Sequence, residues 1–123
     1  MSHILLVDDE DTIVEVLSRA LRAHGHSVRT ARTGKDGLLA LTEEIPDVML
    51  LDISLPDITG WEVLRRLSQT DRERVPIIVF SASPLAPSRV QQFKPAGVLT
   101  KPFPIEALSR LVEQVTSKEQ TNA

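Results

Sequence analysis

Along the chain, short apolar runs alternate with longer amphipathic stretches. Three of the runs are apolar throughout, and they comprise residues 4–7, 48–51 and 77–80. Unbroken apolar runs of this length indicate strands that are buried on both faces, as in the centre of a parallel sheet. Residues 27–31 alternate between polar and apolar side chains, and the run at 98–99 is very short. These two weaker strands are therefore predicted to form the edges of the sheet.

The stretches between the strands carry apolar residues at the 3.6-residue spacing of a helix. In the first of them the apolar positions are Ile13, Val14, Leu17, Ala20 and Leu21. Five repeats of strand and helix predict an α/β fold with helices on both faces of a parallel sheet. The placement of the weak strands fits a doubly wound, flavodoxin-like sheet of five strands in the order 2-1-3-4-5.

Proline interrupts the segment between the fourth and fifth strands. Pro84, Pro87 and Pro95 all stand there, which leaves room only for a short helix at about residues 88–93. The fourth helix of the repeat is therefore predicted to be shortened or irregular.

Composition narrows the class of protein further. The 123 residues favour a single domain, predicted at residues 1–117, with residues 118–123 as a polar tail or the stump of a linker. The chain has no cysteine, which excludes disulfides and thiolate zinc sites. A net charge of −3 gives no sign of direct nucleic-acid binding. No apolar stretch reaches membrane-spanning length, so we expect a cytoplasmic protein without a membrane partner.

Charged and hydroxyl side chains follow the strands where each strand ends. Asp8 and Asp9 follow the first strand, Asp52 the third, Ser81 the fourth and Lys101 the fifth. In the predicted order these four strands are neighbours, ~4.8 Å apart. Their carboxyl ends therefore bring the five side chains to one edge of the sheet, at the switch point where ligands bind in such folds.

Several carboxylates at one edge require a counter-ion. Two carboxylates at ~5 Å repel each other by ~3 kcal/mol at an effective dielectric constant of ~20. Lys101 supplies one positive charge, and Mg²⁺ suits a site of few carboxylates and retained water. With both cations present the site attracts a phosphoryl group, for which Asp52 is the natural nucleophile and Ser81 a hydrogen-bond donor.

The sequence resembles the receiver domain of bacterial two-component response regulators (CheY-like) from residue 2 to about residue 117. The matching stretches are Leu6-Val7-Asp8-Asp9-Glu10, Asp52-Ile53-Ser54-Leu55-Pro56 with Gly60, Phe80-Ser81-Ala82, and Thr100-Lys101-Pro102-Phe103. Each stretch alone is common, whereas all four in this order and at this spacing are highly specific.

The resemblance implies a role for each matching acidic residue. Asp52 is implied to be the phospho-acceptor, which receives a phosphoryl group from a sensor histidine kinase or a histidine phosphotransfer protein. Mg²⁺ is implied to bind at Asp8, Asp9 and Asp52 together with the backbone carbonyl of Ser54, and of the acidic pair Asp9 is preferred over Asp8 as the direct ligand. The output would pass to a downstream effector protein or to an output domain outside this sequence.

The resemblance also assigns the switch, and here the sequence departs from the family. Ser81 is implied to be the switch hydroxyl, and Lys101 to bind the phosphoryl group, with a cis bond to Pro102. Receivers usually carry an aromatic residue or histidine three positions before the lysine, where this chain has Val98. We therefore expect an unusual output surface, with a loop rearrangement after Ser81 in place of an aromatic rotamer change.

Two other classes of function fit the sequence less well. A receiver-like interaction module that acts without phosphorylation is favoured by Val98 and the short fourth helix but opposed by the intact acid cluster. A flavodoxin-type enzyme needs a glycine-rich phosphate loop where residues 8–11 are all acidic, and a haloacid dehalogenase needs an aspartate where Ser54 stands. We therefore expect a protein that assists its own phosphorylation and dephosphorylation but is not a turnover enzyme.

Overall fold

A sheet of five parallel strands forms the centre of the fold. The structure, a computed structural model, describes residues 2–121, and of residues 118–121 it describes the backbone alone. The elements are β1 (His3–Val7), α1 (Asp11–Ala23), β2 (Ser27–Ala31), α2 (Gly34–Glu43), β3 (Val48–Asp52), α3 (Gly60–Arg66), α4 (Gln69–Arg74), β4 (Ile77–Ser81), α5 (Pro87–Phe93), β5 (Gly97–Thr100) and α6 (Ile105–Thr121). The strand order is β2-β1-β3-β4-β5 with every neighbouring pair parallel, which confirms the predicted topology.

The hydrophobic core lies in two layers, one on each face of the sheet. Leu6, Leu50 and Phe80 share one cluster with apolar residues of α1 and α6. Leu5 and Met49 belong to the opposite cluster, which includes residues of α2, α3 and α5. Burying a side chain of this size stabilises the fold by roughly 1.5–3 kcal/mol. Because helices cover both faces of the sheet, the inner strands gain this stabilisation on both faces and carry apolar residues on each. β3 and β4 are buried at every position, whereas β2 and β5 keep exposed positions at the edges.

The helices differ from a simple five-fold repeat at one place. Two short helices, α3 and α4, stand between β3 and β4 where the repeat predicts one. Leu67 has an extended backbone (φ −71°, ψ 141°), and the Ser68 hydroxyl accepts a hydrogen bond from the Asp71 N–H at 3.1 Å to start α4. A serine N-cap thus begins a second helix in mid-segment. The prediction of a shortened fourth helix of the repeat is confirmed, because α5 has seven residues.

The C-terminal helix extends past the predicted end of the domain. α6 continues to Thr121, so residues 118–121 of the predicted tail prolong this helix. Residues 122 and 123 lie outside the described residues, and the boundary at 117 stays a prediction. Within residues 2–121, none of the helices has the length and apolar character needed to cross a membrane.

Candidate functional site

Three side chains from three strand ends meet at the carboxyl edge of the sheet. The Lys101 ammonium, just after β5, lies 3.0 Å from a carboxylate oxygen of Asp8 and 3.4 Å from one of Asp52. The Asp8 carboxylate is fully buried and that of Asp52 nearly so. Asp8 directly follows β1, and Asp52 is the last residue of β3, which pairs with β1 in parallel. The strand register therefore holds these groups together.

A third carboxylate at this site comes from Glu10, and sequence reasoning missed it. A Glu10 oxygen lies 3.4 Å from the Lys101 ammonium, and oxygens of Asp8, Glu10 and Asp52 all lie within 4.8 Å of one another. The Glu10 N–H donates to Asp8 at 3.0 Å, and this turn aims Glu10 back toward the site at the start of α1. Asp9 is exposed and stands outside this group, so its implied role as a direct metal ligand stays a prediction.

Burial and mutual charge shift the pKa values at this site. Burial raises the pKa of the Asp52 carboxyl, the hydrogen bond from the Ser54 N–H opposes that rise, and the Asp8 charge adds to it. Burial alone would lower the pKa of Lys101, but its hydrogen bonds and charge interactions with Asp8 and Asp52 outweigh burial and raise that pKa. The Lys101 side chain is therefore positively charged at neutral pH. Its single positive charge does not neutralise the three carboxylate side chains that lie within 3.4 Å of it.

The donor atoms at this site suit a hard divalent cation. The three clustered side chains offer carboxylate oxygens alone, the ligands that Mg²⁺ prefers. A buried carboxylate pair is costly unless a cation compensates it, and here three carboxylates share one ammonium. The residues present therefore fit Mg²⁺ on both donor type and charge.

The loop that follows Asp52 folds back tightly against the strand. The Gly60 N–H donates to the Ile53 carbonyl at 2.9 Å. A Cβ at position 60 would lie 2.7 Å from the Asp52 carbonyl oxygen and 2.9 Å from the Ile53 Cα, so only glycine fits between them. The Thr59 hydroxyl accepts a hydrogen bond from the Glu62 N–H at 3.1 Å and so caps the start of α3.

Ser81 lies at the neighbouring strand end, with its hydroxyl bonded to its own loop. The Ser81 oxygen accepts from the Ser83 N–H at 3.1 Å, and its hydroxyl donates to the Ser83 carbonyl. The Lys101 N–H donates to the Ser81 carbonyl at 2.7 Å, and the Lys101–Pro102 peptide bond is cis. Val98 is 38% exposed. The structure thus brings Asp8, Asp52 and Lys101 into direct contact and leaves the Ser81 hydroxyl engaged beside them.

An apolar groove of about 320 Å³ opens beside Lys101. Apolar residues of α1 and of the segment after β5 line this groove, among them Ile13, Val16, Leu17, Pro102 and Phe103. Val16, one of these residues, is 52% exposed.

Known proteins resemble this chain in sequence and in structure. Over 82 residues it is 45% identical to the transcriptional regulatory protein AfsQ1 of Streptomyces coelicolor, covering 67% of this chain and 36% of AfsQ1. It is 32% identical to protein PilH of Pseudomonas aeruginosa, covering 94% of this chain and 98% of PilH. Its structure matches response regulator protein TrrA of Thermotoga maritima in complex with Mg²⁺-BeF, with a TM-score of 0.83, 29% identity, and coverage of 94% of this chain and 99% of TrrA.

The length of the match varies among these relatives. The chain spans about a third of AfsQ1 and 47% of the transcriptional regulatory protein YkoG of Bacillus subtilis. The sequence model of the response regulator receiver domain matches residues 4–113, which include every residue of the acidic site and Lys101. The chain therefore belongs to the response regulator receiver domain family.

Proposed function

We propose that this receiver domain is phosphorylated on Asp52, in the presence of Mg²⁺, by a histidine kinase or a histidine phosphotransfer protein of a two-component or phosphorelay system in the cytoplasm. The observation that carries the proposal is the contact of one ammonium, Lys101, with two buried carboxylates, Asp8 and Asp52. Burying such a group of charges costs free energy. A site that binds a cation and a phosphoryl group needs these charges, so the proposed function accounts for their burial.

The proposed reaction is an in-line transfer to Asp52. A carboxylate oxygen of Asp52 attacks phosphorus, and the bond between phosphorus and the donor imidazole nitrogen breaks. The electron pair of that bond stays on the nitrogen, and Asp52 becomes 4-aspartylphosphate. The Lys101 ammonium then donates to a phosphoryl oxygen, and the Ser81 hydroxyl leaves Ser83 to donate to another. Reactions of this type need little beyond positioning and charge neutralisation.

Residues at the same edge would hold Mg²⁺. These are Asp8 and Asp52, to which the family resemblance adds Asp9 and the backbone carbonyl of Ser54. When bound, Mg²⁺ neutralises charge that develops on the phosphoryl oxygens. The match to TrrA, whose structure contains Mg²⁺-BeF, supports this assignment.

The output of the domain follows from phosphorylation in this proposal. Release of the Ser81 hydroxyl from Ser83 would rearrange the loop that leads to α5 and so change the surface around α5 and β5. In this proposal the changed surface then acts on a downstream effector protein or on an output domain outside this chain. The domain would also assist its own dephosphorylation without being a turnover enzyme. A role without phosphorylation gains no support from a site in which the acids and Lys101 are all in place.

Intact mass spectrometry after incubation with phosphoramidate tests the phosphorylation proposal. We expect the mass of one phosphoryl group to be added in the presence of Mg²⁺, and neither in the presence of EDTA nor in Asp52→Asn. Absence of the adduct under conditions that label another receiver domain would contradict the proposal, and so would an Asp52→Asn protein that is still labelled.

The apolar groove beside Lys101 is the surface on which we propose that the phosphodonor protein docks. A donor must bring its phosphohistidine to Asp52, and this groove is an exposed apolar surface at the edge of that site. Val16→Arg is therefore expected to slow phosphotransfer from a phosphorylated histidine phosphotransfer protein about tenfold, the equivalent of ~1.4 kcal/mol. Labelling by phosphoramidate should be unchanged, because this small donor needs no groove.

The matched control for this variant is Leu39→Arg. Leu39 is 60% exposed on α2, outside the groove, so this change adds the same charge at another exposed apolar position. Equal slowing by both variants would show a general charge effect. An unchanged transfer rate in Val16→Arg would place the docking surface elsewhere.

A further inference from the structure

We infer that Asp57 is a positioning residue for the phosphorylation site, because it ties the loop between β3 and α3 to the first turn of α2. The inference rests on the proposed function of that site and assigns to it a residue outside the acid cluster. Asp57 does not touch the phosphorylation site itself, and its effect would pass through Ser54 to Asp52.

The tie consists of two hydrogen bonds to one carboxylate. One Asp57 oxygen accepts from the Gly34 N–H at 2.8 Å and the other from the Lys35 N–H at 2.9 Å. N–H groups in the first turn of a helix have no partner within the helix, and the helix dipole favours an anion there. Desolvation acts to raise the pKa of Asp57, but backbone hydrogen bonds from Lys35, Gly34, Ile58 and Asp57 itself together outweigh it and lower that pKa to about 2.

An apolar contact strengthens the same attachment. A Cβ on Gly34 would lie 2.5 Å from Cγ1 of Ile58 and 2.9 Å from Cγ2 of Val63. Ile58 therefore occupies the space that a side chain at position 34 would fill. The loop is fixed to α2 by a charged residue and by the apolar residue that follows it.

The attached loop is the one that holds Asp52. The Ser54 N–H donates to a carboxylate oxygen of Asp52 at 3.1 Å. Only Leu55 and Pro56 separate Ser54 from Asp57, and the proline ring fixes one of the backbone angles between them. Leu55 also packs against the hydrophobic core. Because this connection is short and stiff, releasing Asp57 is expected to loosen Ser54 and with it the Asp52 carboxylate.

Helix α2 has its own N-cap, so its start does not depend on Asp57 alone. The Thr33 hydroxyl accepts from the Asp36 N–H at 3.0 Å. Asp57 comes from 23 residues further along the chain than Gly34 and accepts from two further amides. Thr33 therefore offers a matched control for the helix.

Hydrogen exchange on metal-free protein tests the tie, and a Mg²⁺ titration tests its consequence. The Ser54 N–H is expected to exchange about tenfold faster in Asp57→Ala than in wild-type protein, and at the wild-type rate in Thr33→Ala. In a ¹⁵N–¹H NMR titration, Mg²⁺ is expected to bind Asp57→Ala about tenfold more weakly, the usual effect of losing a residue that supports a metal ligand. Asp57→Asn keeps one acceptor oxygen, so its exchange rate and Mg²⁺ affinity should fall between those of wild-type protein and Asp57→Ala. This variant also replaces Asp57→Ala in the test if Asp57→Ala folds poorly.

The possible outcomes separate the inference from the proposed function. Wild-type exchange and Mg²⁺ affinity in Asp57→Ala, within twofold, would overturn the inference alone. Equal losses in Asp57→Ala and Thr33→Ala would reduce Asp57 to a helix cap and also overturn it. Wild-type protein that binds no Mg²⁺ would overturn the proposed function, and the positioning role with it, even where the exchange data show the tie.

Discussion

Replacing Lys101 by alanine is expected to lower the free energy of unfolding of the metal-free protein by about 3 kcal/mol at neutral pH. The change leaves the buried carboxylates of Asp8 and Asp52 without the ammonium that lies 3.0 and 3.4 Å from them. The pKa of Lys101 is raised in the folded protein, so its contribution is complete below its ordinary value of 10.5 and is lost only as the pH rises beyond that. Urea unfolding at neutral pH therefore measures the full effect.

Added Mg²⁺ should restore much of this loss, because a divalent cation can replace the missing charge. Lys35→Ala is the control, since the exposed Lys35 side chain can be removed without loss of the backbone N–H that binds Asp57. This control should stay within ~0.5 kcal/mol of the wild type. If Lys101→Ala in EDTA were as stable as the control, the carboxylates would not depend on Lys101, and the electrostatic account of the site would be wrong.

The strand pattern predicted the fold because few arrangements satisfy it. The run at 48–51 is apolar on both faces, and only an inner strand of a sheet covered on both sides buries such a run. The break between α3 and α4 was not predicted. Val63, Leu64 and Leu67 keep a helical spacing of apolar residues up to the break itself, so this spacing does not show that α3 ends at Arg66. The signal for the break is local, namely Ser68 followed three residues later by Asp71, whose N–H the serine caps.

The strand pattern correctly placed the site residues that stand at strand ends. It failed for residues whose position depends on the conformation of a turn. Asp8, Asp52 and Lys101 meet because parallel strands end at one edge. Glu10 was missed because the turn after β1 decides which acid points inward. The contacts of Asp57 with α2 depend on how the β3–α3 loop and α2 pack together, which no spacing along the chain reveals.

Asp52→Asn is expected to raise the free energy of unfolding of the metal-free protein by about 2 kcal/mol at neutral pH. The carboxylates of Asp8 and Asp52 lie within 4.8 Å of each other and repel, and the Lys101 ammonium offsets only part of that repulsion. Burial and the Asp8 charge raise the pKa of Asp52 above its ordinary value of 3.8. For a carboxyl group with a raised pKa, folding favours the protonated form, so stability is lost as the pH rises from the unfolded value through the folded one. Asparagine has no such charge and removes this loss.

The pH dependence and Mg²⁺ dependence separate this explanation from a simple packing effect. The gain in Asp52→Asn should fall away as the pH drops below the ordinary value of 3.8, because the carboxyl group then becomes protonated in the unfolded as well as in the folded protein. Mg²⁺ should also shrink the gain, because the cation stabilises the wild type more than a variant that lacks one of its ligands. In metal-free protein Asp9→Asn is the control for the pH series, since Asp9 is exposed beside the same site and should there change stability by less than ~0.5 kcal/mol. A gain in Asp52→Asn that persists unchanged at low pH would mean that the buried charge at Asp52 is not its cause. A gain that vanishes as expected would show that the domain gives up stability to keep a buried nucleophile, which is the condition that the proposed phosphorylation of Asp52 requires.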